Sequence, residues 1–418
     1  MLSLITMPLR PYIFGIILLL GLVADGVRVA YAQTLTNFAT WKAPENAEAV
    51  PDWARIMLNR EFRNLEGPER ETRLAQVLAA LQDIVGDADV VPSTRYNAVL
   101  AVGQLDSRVG NPPTAYPPAL AYLADVYQNA DSPAYLKYGA LLGIVRHAVC
   151  GIEPDPQERI IALLLETAAG QTAESNAEPL KPDVGHWFQC TALDGLTALK
   201  TMGPDGKVVS ELLALMEQKI QEIELLSEHY DLFVSANAER LHRAVELASK
   251  AAKVLGDLDY RSAAGIDSDR MADVFVKLTQ AVCVAGCRMI TVYLDEERTV
   301  PEPNVLKERI VAMQKMSMQS VVWGIRGGFL LPNRPAEHSF YASLPEGDSA
   351  LVRLDALLTD ILAISAFFDE GESSRRSAMP TDASKAFRFD LLELREVLAG
   401  AIVHESGALS HPGSVASL

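Results

Sequence analysis

Apolar residues recur at helical spacing through almost the whole chain after Pro51, and this periodicity is the feature that most restricts how the chain can fold. Leu74, Val77, Leu78 and Leu81, for example, mark one face of a helix. No convincing strand alternation of apolar and polar residues is present, and no Asn-Gly pair marks a tight hairpin. The sequence therefore predicts an all-α protein built from successive helical hairpins.

Three segments within this helical pattern resemble one another and indicate an internal repeat. Residues 95–100 (RYNAVL) resemble residues 137–142 (KYGALL) and also residues 187–192 (WFQCTA). In this alignment a small residue recurs where two helices would approach closely, and a leucine follows it 25 residues later. The aligned residues are Ala98, Ala140 and Cys190 at the small position, and Leu123, Leu165 and Leu215 at the leucine position. Such a period predicts an array of stacked hairpins.

The period of about 40 residues, the two helices in each unit and the basic and aromatic residues that begin the first helix resemble HEAT-type α-solenoid repeats. The resemblance covers about residues 51–220. It implies antiparallel helical hairpins stacked as a HEAT-like α-solenoid, with a continuous core and an elongated groove. The fixed Asp and Arg of fuller HEAT units have no counterpart that can be placed in this sequence. An irregular array of helical hairpins, with no link to that family, is the alternative interpretation.

The sequence divides the chain into a HEAT-like repeat region, residues 51–206, and an irregular helical C-terminal region, residues 207–404. Short polar residues at 235–237 predict a break inside the long helical segment 208–258. Further helices are predicted over residues 268–293, 303–324, 348–368 and 384–404. A polar linker is predicted at residues 370–383, and a disordered tail at residues 405–418.

The N-terminal segment has the pattern of a cleaved export signal. A short positive region precedes an apolar run over residues 13–24, and Ala30-Tyr31-Ala32 supplies a small-x-small cleavage site. We therefore predict a signal peptide over residues 1–32 and a leader over residues 33–50. The protein is expected to be exported to a periplasmic or extracellular location. Retention of the N-terminal segment as a membrane anchor is the alternative.

The charge balance restricts the class of partner. The chain carries 54 acidic and 37 basic side chains, for a formal net charge of −17. No run of Lys and Arg is present to contact phosphates, so we expect no nucleic-acid partner. An acidic protein favours a protein partner with a basic surface. Contact with a membrane is expected only if residues 1–32 are retained.

The four cysteines offer one candidate disulfide. Cys150 and Cys190 lie at the ends of neighbouring predicted units, and export permits a bridge between them. Buried free thiols are the alternative. Cys283 and Cys287 are one turn apart on an apolar helix, where a pair seldom reaches disulfide geometry.

No motif for catalysis, metal binding or cofactor binding is present. The histidines are scattered without a zinc-ligand spacing, and the paired carboxylates lie beside helix ends, where solvation explains them. Trp187 and Phe188 form the one dense aromatic spot, which we interpret as helix core. No catalytic residue, metal ligand or cofactor is therefore predicted. The sequence favours an exported helical-repeat scaffold that mediates protein–protein interaction. The alternative is an envelope enzyme with a helical fold and a dispersed active site.

Overall fold

The computed structural model of the protein describes residues 58, 62, 65–108, 110, 112–171, 180–229, 235–261, 266–295, 303–326, 338–369 and 383–408. These residues include thirteen α-helices and one two-stranded antiparallel sheet, so the prediction of an all-α protein is confirmed. The predicted signal peptide and leader lie outside the described residues, as do nearly all of the predicted linker and most of the predicted tail.

The helices are numbered in chain order. They are α1 (Gly67–Gly86), α2 (Pro92–Val102), α3 (Pro117–Gln128), α4 (Ala134–Cys150), α5 (Pro154–Ala168), α6 (Pro182–Leu199), α7 (Lys207–Glu228), α8 (Ser235–Asp257), α9 (Ser268–Leu294), α10 (Pro303–Arg326), α11 (Phe340–Ser343), α12 (Ser349–Asp369) and α13 (Ala383–Ala408). The strands β1 (Asp106–Arg108) and β2 (Thr114–Ala115) lie between α2 and α3.

Proline and aspartate residues determine where several helices begin. Helices α2, α3, α5 and α6 have proline at their first position, where the missing N–H removes no intrahelical hydrogen bond. Helix α9 begins after Asp267, whose side chain accepts a hydrogen bond from the Arg270 N–H. Segment 208–258 is divided into two helices as predicted, but residues 235–237 belong to α8 and α7 already ends at Glu228, so the predicted position of the break is wrong.

Five helices lie side by side in one row, α2, α4, α6, α8 and α10, which we call the even row. Moving toward the C-terminus of one helix, each residue contacts a residue nearer the C-terminus of its neighbour. Tyr96 lies against Gly139, and Gly103, one residue beyond α2, lies against Gly143. Likewise the ring of Tyr138 packs 5.2 Å from that of Phe188. Neighbouring helices in this row therefore run parallel.

The helices α3, α5, α7 and α9 form the odd row. Tyr127 of α3 forms a 2.6 Å hydrogen bond with Thr167 of α5, and Arg270 of α9 binds Glu217 of α7 at 2.9 Å. Each odd-row helix also packs against the even-row helix that follows it, so the hydrophobic core lies between the rows. Both rows continue past residue 206, where the repeat is no longer visible in the sequence. The assignment to HEAT-like solenoids stays a prediction.

Small residues let helices of the even row approach one another closely. A Cβ atom added to Gly103 would lie 2.7 Å from the Gly143 Cα atom, which is closer than two carbon atoms can approach. Ala98 and Ala140, aligned by the internal repeat, are both fully buried. Cys190, the third aligned residue, is only half-buried. Its side chain lies at the boundary between α6 and α8 instead of between the rows.

The hairpin of β1 and β2 was not predicted, because strands of two or three residues are too short to show alternation. Arg70 of α1 donates hydrogen bonds to the carbonyl oxygens of Asp106 and Ser107 at 2.7 and 2.9 Å. Arg146 of α4 donates to the Gly103 carbonyl and binds both oxygens of the Asp106 carboxylate, at 2.8 and 2.7 Å. Contacts from two helices therefore hold this hairpin in place.

Helices α12 and α13 cover the C-terminal end of the two rows. Helix α12 packs against α9 and α10, and α13 packs mainly against α9. Within the described part of the chain, α9 is the one helix long and apolar enough to cross a membrane, and 67% of its apolar stretch is buried inside the protein. Core helices of soluble proteins share this property, so the helix is weak evidence for a membrane span.

Candidate functional site

Four side chains that bind metals or carry protons in other proteins lie together where α6 packs against α8. His186 and Cys190 are one turn apart on α6, and His242 and Glu246 are one turn apart on α8. His186 Nε2 lies 3.0 Å from Glu246 Oε2 and 3.5 Å from Cys190 Sγ. His242 Nε2 lies 3.9 Å from the same Glu246 oxygen. We call these four residues the His–Cys–Glu cluster.

Helix geometry brings the cluster together and ion pairs flank it. Residues four apart share one face of a helix, and parallel packing sets the two faces opposite each other. On one side, Arg243 of α8 binds Asp183 of α6. On the other side, Lys250 of α8 binds Asp194 of α6 at 2.6 Å. We call this series of contacts, including that of His186 with Glu246, the α6–α8 ladder.

The cluster is buried at its base and open at its outer side. The side chains of His186 and Glu246 are 10% and 25% exposed, whereas that of His242 is 38% exposed. The hydrogen bond from His186 lowers the pKa of the Glu246 carboxyl. Burial, followed by the charge of Glu246, raises the pKa of the Cys190 thiol to about 12, although Lys250 acts in the opposite direction. At neutral pH a neutral thiol therefore lies beside a charged carboxylate.

This geometry does not fit a cysteine nucleophile that a histidine activates. In such a triad the histidine faces the thiol with one ring nitrogen and the carboxylate with the other. Here His186 Nε2 faces both Cys190 and Glu246, whereas its Nδ1 atom is buried without a hydrogen-bond partner. The raised pKa of the thiol also opposes formation of a nucleophilic thiolate. The cluster therefore gives no support to the enzyme alternative.

Three donor atoms of the cluster lie close to one another. His186 Nε2, Cys190 Sγ and a Glu246 oxygen all lie within 4.8 Å of one another. Imidazole nitrogen, thiolate sulfur and carboxylate oxygen are the donor atoms that zinc binds in proteins. The residues that could hold a metal are therefore His186, Cys190 and Glu246, with His242 beside them.

Cys150 and Cys190, the predicted disulfide pair, lie at different heights along neighbouring helices. The chain's four cysteines are all free thiols. Cys150 ends α4, whereas Cys190 lies in the middle of α6. The register that sets Tyr138 beside Phe188 leaves about ten residues of helix, or roughly 15 Å of rise, between the two cysteines. A disulfide needs Cα atoms within about 7 Å, so this arrangement of helices does not contain the Cys150–Cys190 bridge.

His186 and Glu246 do not stand out as a pair in the sequence, because 60 residues separate them. The same holds for His242, which lies on the later helix with Glu246. Each half alone is a common pair four residues apart on a helix. The signal that could have found them is the pairing itself. His-x3-Cys on one predicted helix and His-x3-Glu on a later one supply two donors from each helix face.

The interpretation of Trp187 and Phe188 as helix core is correct for one residue and wrong for the other. Phe188 is 1% exposed and packs against the rings of Tyr127 and Tyr138. Trp187 is 47% exposed. Adjacent helical residues point about 100° apart, so burial of one aromatic ring between the rows turns the other outward.

Comparisons with known proteins do not assign the chain to a family. No protein-family model matches it, and no curated protein matches it. A crystal structure of an engineered protein from the Northeast Structural Genomics Consortium is 14% identical, over 82% of this chain and 98% of the engineered one, with a TM-score of 0.19. Similarity at this level carries no argument about fold or function.

Proposed function

We propose that this protein is an exported helical scaffold that binds another protein through the even row, and that the partner presents a basic surface. Exposure of the large aromatic ring of Trp187 on α6 is the observation that carries the proposal. A HEAT-like solenoid, whose stacked helices offer a long binding surface, is part of the same proposal.

Trp187 supports a binding role because a half-exposed indole contributes little to the fold and much to an interface. Tryptophan is enriched among the residues that supply most of the binding energy in protein complexes. Its surroundings on α6 are polar, since Asp183 and Asp194 form ion pairs with α8. An aromatic centre surrounded by polar groups is the usual arrangement of a protein-binding patch.

The net charge of −17 supports the choice of a basic partner. Long-range attraction between opposite charges accelerates association, and added salt screens it. Binding to a basic protein is therefore expected to weaken as salt is added. Binding to a neutral apolar partner would lack this dependence.

The proposal is tested by site-specific photo-crosslinking in the cells that make the protein. A photo-reactive amino acid replaces Trp187 in one full-length variant and Leu362 in a matched control. Leu362 is 51% exposed on α12, outside the even row. We expect one crosslinked protein of defined mass from position 187 and none from position 362. Equal capture at both positions, or no adduct from a folded position-187 variant, would contradict the proposal.

The captured protein then serves as the probe in a binding titration. Loss of a central tryptophan removes about 2 kcal/mol of binding free energy, so Trp187→Ala should weaken binding about 30-fold. Leu362→Ala should leave the affinity unchanged. Binding that is insensitive to both Trp187→Ala and salt would exclude this surface and a basic partner.

A further inference from the structure

The His–Cys–Glu cluster contains donor atoms that a protein-binding scaffold does not need. We propose that it is a zinc site, in which His186, Cys190 and Glu246 bind the ion directly and His242 supplies the fourth ligand. The zinc site is inferred from the geometry of α6 and α8. It can therefore be present or absent whether or not the protein is a scaffold.

Two distances within the cluster can be compared with those between the donors of a zinc ion. In a tetrahedral site with zinc–nitrogen and zinc–oxygen bonds near 2.1 Å and a zinc–sulfur bond near 2.3 Å, neighbouring donors are about 3.4 to 3.6 Å apart. His186 Nε2 lies 3.5 Å from Cys190 Sγ and 3.0 Å from Glu246 Oε2. The nitrogen–sulfur distance already fits such a site, whereas the Glu246 carboxylate has to move outward to admit the ion.

His242 is the further donor on the open side of the cluster. It lies one turn before Glu246 on α8, and its Nε2 atom is 3.9 Å from the Glu246 oxygen. Its side chain is 38% exposed, so the ring can turn toward the ion without disturbing the core. Each helix then contributes two ligands spaced four residues apart, and the ion joins α6 to α8.

The charges of the cluster favour a divalent cation. A thiolate at Cys190 and the Glu246 carboxylate together carry two negative charges, which one zinc ion neutralises. When zinc binds, the sulfur–hydrogen bond breaks, a sulfur–zinc bond forms, and the proton passes to water. Lys250, paired with Asp194 one turn from Cys190, adds a favourable charge for the thiolate.

The donor set distinguishes zinc from the common hard cations. Calcium and magnesium take oxygen ligands, and the cluster offers one carboxylate among nitrogen and sulfur donors. Imidazole and thiolate suit zinc and its spectroscopic substitute, cobalt. Cobalt(II) bound by a thiolate in tetrahedral geometry absorbs in the visible region and gives a thiolate-to-metal charge-transfer band in the near ultraviolet. This band reports directly on Cys190.

The test uses purified full-length protein that is kept reduced, stripped of metal with a chelator and titrated with cobalt and then zinc. We expect one tight site per chain, a thiolate charge-transfer band with cobalt, and loss of that band as zinc displaces it. Absence of the band would overturn the proposal.

Substitution of each proposed ligand in turn shows which side chains bind the ion. Cys190→Ser should abolish the band, and Cys190→Ser and Glu246→Gln should each weaken zinc binding by about 100-fold or more, because even outer-shell changes cost 10- to 100-fold. His242→Gln should weaken it about 10-fold. Cys150→Ser, at the end of α4, is the matched control and should change neither the band nor the affinity. Equal effects of Cys150→Ser and Cys190→Ser would refute the site.

Melting temperatures with and without zinc give a second test, which does not depend on the spectra of the variants. Zinc should raise the melting temperature of the wild type and of Cys150→Ser, because a ligand that binds the folded state stabilises it. At the same zinc concentration it should raise that of Glu246→Gln much less, although glutamine matches glutamate in size. A similar rise in all three proteins would show that zinc binds elsewhere.

Discussion

Gly256 of α8 illustrates what a single residue contributes to packing in the even row. A Cβ atom at this position would overlap the backbone carbonyl of Trp323 on α10. The Trp323 ring is fixed nearby, because its N–H donates to the Asp257 carboxylate at 2.7 Å and the Lys253 ammonium lies over the ring, 5.2 Å from its centre. The backbones of α8 and α10 therefore meet at a point where only glycine fits.

Gly256→Ala should destabilise the protein by about 2 to 3 kcal/mol, because the added methyl group forces α8 and α10 apart. Gly400→Ala in α13 is the control, since a Cβ atom there has no neighbour within 4 Å. Better helix propensity should make that variant more stable by up to about 1 kcal/mol. Urea unfolding followed by circular dichroism measures both changes. Equal stabilities of the two variants would show that the helices are not in contact at Gly256.

His147 of α4 is a second residue whose environment has a measurable effect. It is fully buried, and its burial, together with the positive charge of Arg146, lowers its pKa to about 4. Folding therefore favours the neutral ring. Stability from this group is complete above the unfolded pKa of about 6.5 and is lost as the pH falls toward 4.

Wild-type protein should lose about 2 kcal/mol more stability than His147→Leu between pH 8 and pH 5, because only the wild type must keep a histidine unprotonated. Urea unfolding of both proteins at the two pH values gives the difference, in which the contributions of other titrating groups cancel. A loss of the same size in both proteins would mean that His147 is protonated equally easily in the folded and unfolded states.

At the scale of elements, most helices could be predicted from the sequence, whereas the hairpin and the contact between the two halves of the cluster could not. The helices predicted over residues 268–293 and 303–324 are α9 and α10, because periodicity and capping are local signals. The β1–β2 hairpin depends on Arg70 and Arg146, which lie on α1 and α4. The cluster depends on the register between α6 and α8. Register is set by packing, and a single sequence does not display it.

Arg70→Met should destabilise the protein by about 2 to 4 kcal/mol. Its guanidinium binds the carbonyl oxygens of Asp106, Ser107 and Phe62, and removal leaves carbonyl groups without partners. Arg73→Met is the control on the same helix, since its recorded hydrogen bond to Gln76 is exposed. Thermal and urea unfolding of both variants test this expectation. Similar losses in both would mean that the carbonyl groups find other partners.

Ala140→Arg tests the internal repeat, which aligns Ala140 with Ala98 at a close approach of helices. Ala140 is fully buried in α4, so a charge there has neither space nor a partner. We expect a loss of more than about 4 kcal/mol, seen as unfolding or a large fall in melting temperature. Ala356→Arg, on the exposed side of α12, should change stability by less than about 0.5 kcal/mol. An unchanged melting temperature of Ala140→Arg would contradict the alignment.

At the scale of the whole molecule, two rows of parallel helices share one core, which α12 and α13 cover at the C-terminal end. The all-α class followed from the sequence, because helical periodicity persists along the chain. The continuation of the two rows through α10 could not be predicted from the sequence, because the packing positions of the later helices no longer match the repeat. The predictions of export and of a basic partner are based on residues 1–32 and on net charge, which are properties of the sequence.

Protein isolated from an envelope or secreted fraction should begin at Gln33, because Ala30-Tyr31-Ala32 fits the cleavage site of a signal peptidase. Intact-mass measurement and N-terminal sequencing test this directly. Ala30→Arg should block cleavage and leave the chain with residues 1–32 in the membrane fraction. Recovery of uncleaved wild-type chains from the membrane would support the anchor alternative.

The α6–α8 ladder also affects which mistakes the folding chain can make. Parallel neighbouring helices can slide past each other by one turn and still bury apolar side chains. If α8 slipped in one direction, Asp183 would face Glu239 and Asp194 would face Glu246, two repulsive acid pairs. A slip in the other direction would place Asp183 and Asp194 opposite Leu247 and Val254, without cationic partners. The ladder thus favours the native register of α6 and α8, because alignments shifted by one turn are electrostatically less stable.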